Sequence, residues 1–289
     1  MKPALEVMAA GVGKDAKTMT ARNEIKRIKP SSPALLPRGE KGEIPDVSVV
    51  IPAWGCKWTI ADTLKSAWGQ EGVNLEVIVI NNGDDPEIDH AIAKGRAGAA
   101  VIGDRALMRT LMPRMRLIKI KNTSYADAMN AGATLARGRY IQVLEGDDML
   151  EPGALRGLME ALDKHPEAGF AYGDVQYHGA LKHRWQPAPF RREDFFRHSA
   201  SLYPVMFRRE LFASGQMRWW QADVGPGCSD WDFNIQLAKC SEGLPVPGLL
   251  ILHYYYHPNG LNGRQKLYEA ELMAELRARH PEVVAETIP

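Results

Sequence analysis

Glu145-Gly146-Asp147-Asp148 sets three carboxylates within four residues, directly after the apolar run RYIQVL. Like charges so close repel, so the set is stable only where it is solvated or faces a cation. Hard oxygen ligands suit Mg²⁺ or Mn²⁺, ions that take one or two carboxylates and complete their shell with substrate phosphates. The same residues also read as an acidic turn that gains from the dipole of the helix behind it. A second acidic group, Asp230 and Asp232 in SDWDFNIQLAKC, opens a helical pattern with Ser229 or Asp230 at its N-cap. Trp219, Trp220 and Trp231 stand beside it. Flat apolar rings with a polar rim suit the faces of a sugar, and they serve equally as core. His253 and His257 flank three tyrosines in HYYYHP, and strand alternation puts His253, Tyr255 and His257 on one face.

The elements that position these groups are legible in the hydrophobic pattern. VSVVIPAW is a β-branched run ended by Pro52, the texture of a strand buried on both faces of a parallel sheet. TIADTLKSAWGQ places Ile60, Leu64, Ala67 and Trp68 at helical spacing behind Thr59 as N-cap, and LEVIVINNG is a second buried strand closed by a glycine turn. Strand, helix and strand in about thirty residues make a βαβ unit with a right-handed crossover. MRLIKIKN predicts a third strand, YADAMNAGATLAR a helix and RYIQVL a further strand. Three strands thus end in polar signatures, PAWG, NNGDD and EGDD, and open α/β sheets place their ligands at such carboxyl ends. Beyond Pro152 follow the helix GALRGLMEALDKH, the strand FAYGDVQYHG, an aromatic and basic stretch, the SDWD helix, the strand LLILHYYYHP and a terminal amphipathic helix, RQKLYEAELMAELRARH.

Composition narrows the classes. The 289 residues are 45% hydrophobic and 25% charged, enough for a globular core. Lys+Arg 36 against Asp+Glu 35 leaves a formal charge of +1, so no global field draws in nucleic acid or anionic lipid. Cys56, Cys228 and Cys240 are scattered without a CxxC pair, the pattern of reduced thiols. No run approaches the roughly 18 to 20 apolar residues of a membrane helix, and the first residues lack a signal-like apolar core. The expectation is a cytoplasmic protein without a transmembrane segment, peripheral attachment to a membrane being left open. There is no GxxxxGK[ST] loop and no GxGxxG after the first strand, which argues against P-loop and dinucleotide chemistry and for a metal clamp on a diphosphate.

In this order and spacing VSVVIPAW, SAWGQ, LEVIVINNGDD, YADAMNAG, ARGRYIQVLEGDDML, YGD and SDWDFNIQLA resemble the signatures of the family 2 glycosyltransferases of GT-A fold. The resemblance spans about residues 45–259. It implies an α/β fold of GT-A type: a Rossmann-like, mostly parallel central sheet flanked by helices, with an acceptor-side subregion. The matching division is a flexible basic N-terminal extension over 1–45, a nucleotide-sugar half over 46–150, an acceptor and base half over 151–260, and a C-terminal helix and tail over 261–289.

The resemblance implies further roles, residue by residue. Pro52, Ala53 and Trp54 lie where the family holds base and ribose, with Trp54 in place of a usual tyrosine. Asn82 matches an aspartate that accepts from the uracil ring nitrogen, and an asparagine carbonyl can do the same. Asp84, Ser124, Asn130 and Gly146 fall along the same donor surface, Ser124 and Met129 standing where relatives often carry arginine. Glu145 and Asp147 match the DxD carboxylates, with Asp147 the foremost ligand of Mn²⁺ or Mg²⁺, Asp148 in support and His257 completing the shell. Asp230 matches the proposed general base of an inverting transfer, Ser229 replacing the preceding glutamate. Asp174, Trp219, Trp220 and Trp231 fall on the acceptor side. The implied donor is a UDP- or dTDP-sugar. The acceptor stays open among glycan, lipid carrier, protein and modified nucleic acid. A catalytically silent GT-A module that binds a glycan or a partner is the alternative, and Asp147 with Asp230 weighs against it. A sugar-nucleotide pyrophosphorylase lacks its GxGxRxxP loop here.

Overall fold

The computed structural model describes residues 44–101, 114–121, 123–197, 205–222, 228–256 and 265–284. The expected N-terminal extension therefore lies almost wholly outside the described residues, as does His257.

The first half runs β1 (Val47–Ala53), α1 (Ile60–Trp68), β2 (Leu75–Asn82), α2 (Pro86–Val101), β3 (Met115–Ile120), α3 (Tyr125–Leu135) and β4 (Tyr140–Val143). β1 is parallel to both β2 and β4, and β2 is parallel to β3, so the expected βαβ unit is present. The second half runs β5 (Met149–Leu150), α4 (Ala154–Lys164), β6 (Ala168–Gly179), β7 (Arg184–Trp185), β8 (Met206–Arg208), α5 (Arg209–Ala213), α6 (Ser229–Cys240), β9 (Glu242–Tyr256) and α7 (Glu269–Arg279). One sheet joins them in the order β3-β2-β1-β4-β8-β6-β9-β5, with β7 beside β6. β8 is antiparallel to its neighbours, β9 is parallel to β6, and β5 pairs antiparallel with β9.

The unbroken apolar runs have a simple cause. Val47, Val49 and Ile51 of β1 pack with Ile60, Leu64 and Ala67 of α1 on one face. Val50 packs with Ile78, Ile80 and the α3 residues Ala128 and Met129 on the other. Covering both faces leaves β1 and β2 buried along their whole length. Helix α3 can come this close because it carries Gly132, where an added Cβ would lie 2.3 Å from Val50 Cγ1 and 3.3 Å from Ile80 Cγ1. Gly132→Ala is therefore expected to lower stability by about 1–3 kcal/mol through overpacking. Chemical denaturation checks this, as a lower midpoint with unchanged slope.

Two cap assignments are corrected. Thr59 precedes α1 but does not cap it; φ −114° and ψ −30° turn it away from the extended shape a capping side chain needs. Its hydroxyl donates instead to Gly146 O at 2.8 Å and Cys56 O at 3.2 Å. At α6 the N-cap position is Cys228, without a side-chain cap. Ser229 Oγ donates to Trp220 O at 2.6 Å, and Asp230 lies inside the first turn. Ser124 does cap α3, accepting from Asp127 N at 3.0 Å.

Candidate functional site

Parallel pairing brings the carboxyl ends of β1, β2 and β4 to one rim. Leu144 N donates to Val50 O at 3.0 Å, extending the ladder to the start of the acidic turn. Gly146 is held from the other side: Thr59 and Thr63 hydroxyls donate to its carbonyl at 2.8 and 3.0 Å. A Cβ at this glycine would lie 2.6 Å from Cys56 Sγ and 3.3 Å from Pro52 O, so only glycine lets the turn seat against β1. Burial pushes the Cys56 thiol up to about 12, which leaves it a packing group.

The carboxylates of this turn have separate environments. Glu145 and Asp147 are half-buried. Asp148 is 1% exposed, and its Oδ1 accepts from Tyr255 N at 3.0 Å, tying the turn to β9. Asp148 Oδ2 is buried without a hydrogen-bond partner. Burial raises Asp148 well above the usual carboxylate range, and the charge of Asp147 adds to it.

Across the rim, the first turn of α6 brings Asp230 to the first residue of α3. Tyr125 Oη lies 2.6 Å from Glu145 Oε1 and 2.9 Å from Asp230 Oδ1. Burial raises Glu145 well above its usual range and Asp230 adds to the shift, against the Tyr125 hydrogen bond. Asp230 is pushed up to about 6 by burial, again opposed by Tyr125. A narrow crevice lined by Val143, Val205, Trp219, Asp230, Phe233 and Asn234 opens beside it. One phenol thus joins the strand-end carboxylate to the helix-borne one. No spacing rule pointed to Tyr125; its only sequence signal is its place as the first residue of the helix after β3.

The acidic turn thus closes β4 of a mostly parallel sheet. The model of the family described as glycosyl transferase family 2 matches residues 48–221. The chain belongs to that family. The chain is 38% identical over 122 residues to the succinoglycan biosynthesis protein ExoO of Rhizobium meliloti (strain 1021), 42% of this chain and 31% of that protein. It is 36% identical over 112 residues to chondroitin synthase of Pasteurella multocida (strain Pm70), 39% of this chain and 10% of the other. The matched segment spans less than a third of either relative. Among solved structures, S. aureus TarS 1–349 in complex with UDP-GlcNAc aligns with TM-score 0.60 and 11% identity over 81% of this chain and 66% of that 1–349 chain. Mannosyltransferase PcManGT from Pyrobaculum calidifontis, in complex with GDP-Man and Mn²⁺, aligns with TM-score 0.55 and 14% identity over 83% and 71%. At such identities the likeness is one of fold, and the fold is GT-A.

The remaining expected site residues divide by exposure and bonding. Pro52 and Ala53 are buried at the end of β1, and Trp54 follows them with 58% of its surface exposed. Asp84 has φ 52° and pairs with Lys119 at 2.8 Å. Asn82 is engaged on both sides of its amide: Nδ2 donates to Thr123 O at 3.0 Å, and Oδ1 accepts from Thr123 N at 2.9 Å and Thr123 Oγ1 at 3.2 Å. Asn130 clamps Trp219 in the same two-way fashion, through its N at 3.0 Å and its O at 2.8 Å. This directs the Asn130 amide toward the loop before α6.

On the acceptor side the expected residues differ in burial and bonding. Asp174 is fully buried at a register shift between β6 and β9, accepting from Arg184 Nε at 2.8 Å, Gln186 Nε2 at 3.0 Å and Gly248 N at 3.0 Å. Its carboxylate fills the irregular backbone step there. Trp231 is 3% exposed and donates from its indole to Phe195 O at 2.8 Å, a core side chain under α6. Trp219 is stacked on Phe233 at 3.7 Å and still lines the crevice beside Asp230. Trp220 lies beneath the Arg279 guanidinium at 4.7 Å.

The shared phenol carries a prediction. A hydrogen bond to a charged group is worth about 1.5–3 kcal/mol. Tyr125→Phe should therefore lower kcat by roughly 10- to 150-fold. The thermal midpoint should barely move. Steady-state kinetics beside a melting curve check it, and an unchanged kcat would remove Tyr125 from the site.

Proposed function

We propose that this glycosyltransferase moves a sugar from a UDP- or dTDP-sugar to an acceptor hydroxyl with inversion, and that Asp230 is the base. The observation that carries the reading is the Tyr125 hydroxyl within hydrogen-bond distance of Glu145 and Asp230. It sets a donor-side carboxylate and an acceptor-side carboxylate around one small volume. There the acceptor oxygen bonds to the anomeric carbon on the face opposite the diphosphate. The carbon–oxygen bond to the diphosphate breaks, the nucleoside diphosphate leaves with the electron pair, and the hydroxyl proton passes to Asp230.

The acidic turn fits a hard divalent ion. Its donors are carboxylate oxygens held close against their mutual repulsion, and Asp148 Oδ2 is a buried acceptor left without a partner. Mg²⁺ and Mn²⁺ take one or two carboxylates and complete their shell with phosphate and water. Glu145 and Asp147 would hold Mn²⁺ or Mg²⁺, and when bound the ion supplies positive charge against the leaving diphosphate.

The uracil or thymine preference rests on Asn82 and Trp54. The longer Asn82 bond comes from the Thr123 hydroxyl, which can rotate away and give its place to a base N3–H. The exposed Trp54 ring offers a face for stacking. UDP-GlcNAc in the TarS complex supports the reading, and GDP-Man in the PcManGT complex names the competitor. The test is a thermal-shift panel of UDP, dTDP, GDP and CMP with and without Mn²⁺. UDP and dTDP are expected to stabilise the protein only with the ion. Stabilisation by GDP or CMP alone would overturn the donor assignment.

A further inference from the structure

The first turn of α6 has no side-chain cap, yet it carries Asp230. Something else must fix it. Residues two apart on a helix point about 200° away from each other, so Asp232 faces away from Asp230. Asp232 is fully buried, and Arg279 Nε donates to its Oδ1 at 2.7 Å. His280 Nε2 lies 2.8 Å from the same oxygen, and its Nδ1 lies 3.2 Å from the Lys239 ammonium. An ammonium only donates, so Nδ1 accepts and the ring proton sits on Nε2, directed at Asp232. Arg279 also covers Trp220, whose carbonyl receives the Ser229 hydroxyl. Leu272, Met273 and Leu276 of α7 close the apolar side against Cys228, Trp231 and Ile235.

We propose that Arg279 and His280 are positioning residues of the transfer reaction: through Asp232 they hold the α6 first turn on one side while Tyr125 meets Asp230 on the other. The C-terminal helix thereby becomes part of the catalytic architecture. The inference rests on Asp230 being the base, and its consequences for exchange do not.

The test compares Arg279→Met, Arg279→Lys and Asp230→Asn with the wild type in the full chain. Two readings are taken: amide hydrogen exchange over 228–233, and UDP release from UDP-GlcNAc with Mn²⁺ present. Arg279→Met is expected to raise exchange in that turn at least tenfold, leaving α3 unchanged. It should lower kcat about tenfold at an unchanged KM for UDP-GlcNAc. Arg279→Lys, which keeps the charge and one donor, should recover part of both. Unchanged exchange at 228–233 in Arg279→Met overturns the clamp, as does retained kcat. A parallel loss of donor affinity would also overturn it, marking general destabilisation. Asp230→Asn at wild-type rate would sink the base assignment alone, because the exchange result stands apart from it.

Discussion

Asp230→Asn is expected to leave the fold and nucleotide binding intact and to cut transfer by on the order of 10² to 10⁴, about 3 to 5 kcal/mol of barrier. The substitution is clean here. Cys228 holds the N-cap position without a capping side chain, so no cap is lost with the carboxylate. The Tyr125 hydroxyl that reaches Asp230 Oδ1 at 2.9 Å finds an amide carbonyl in its place. Shape and hydrogen bond are kept, and the ability to take a proton is removed. Rate assays beside a nucleotide-binding titration separate the two. A near wild-type rate would send the search for the base elsewhere, and the geometry limits where. Asp232 is fully buried between Arg279 and His280, and Asp174 is fully buried against Arg184. Neither can meet an acceptor hydroxyl without leaving its partners.

The N-terminal half was legible because its signals are local. A β-branched run with both faces covered admits little but a buried parallel strand, and β1, β2 and β4 lie where their runs predicted. The acidic turn was legible for the same reason: four adjacent residues carry it. What was hidden is side-chain commitment across long sequence distances. Asn82 ends β2 and Asn130 lies mid-way along α3, and only the fold shows each amide spent on a particular backbone, Thr123 and Trp219. Asp174 stands in YGD as an exposed-looking carboxylate, but a register shift between β6 and β9 swallows it. The SDWD pattern fits an N-cap by local rules. In the fold Asp230 and Asp232 both lie inside α6, where helix geometry turns them to opposite sides and α3 and α7 meet them there.

Asp147→Ala is expected to abolish the metal-dependent part of nucleotide binding, the largest binding effect of any single change at the acidic turn. A ligand at a hundred times its Kd stabilises a protein by about 2.7 kcal/mol. For a chain of this size that is roughly 5 to 10 °C in Tm. Wild type with Mn²⁺ and a saturating nucleoside diphosphate should show such a shift, and Asp147→Ala should lose nearly all of it. The neighbouring carboxylate supplies the control. Asp148 is 1% exposed and holds Tyr255 N, so Asp148→Ala leaves a backbone donor at β9 unpaired. Its cost should therefore appear as lower intrinsic stability, about 1–3 kcal/mol, with most of the Mn²⁺-dependent shift retained. The two variants thus move different readings, baseline Tm for Asp148 and ligand-induced shift for Asp147. A full Mn²⁺-dependent shift in Asp147→Ala would remove that carboxylate from the metal shell and leave Glu145 and Asp148 Oδ2 to account for the ion.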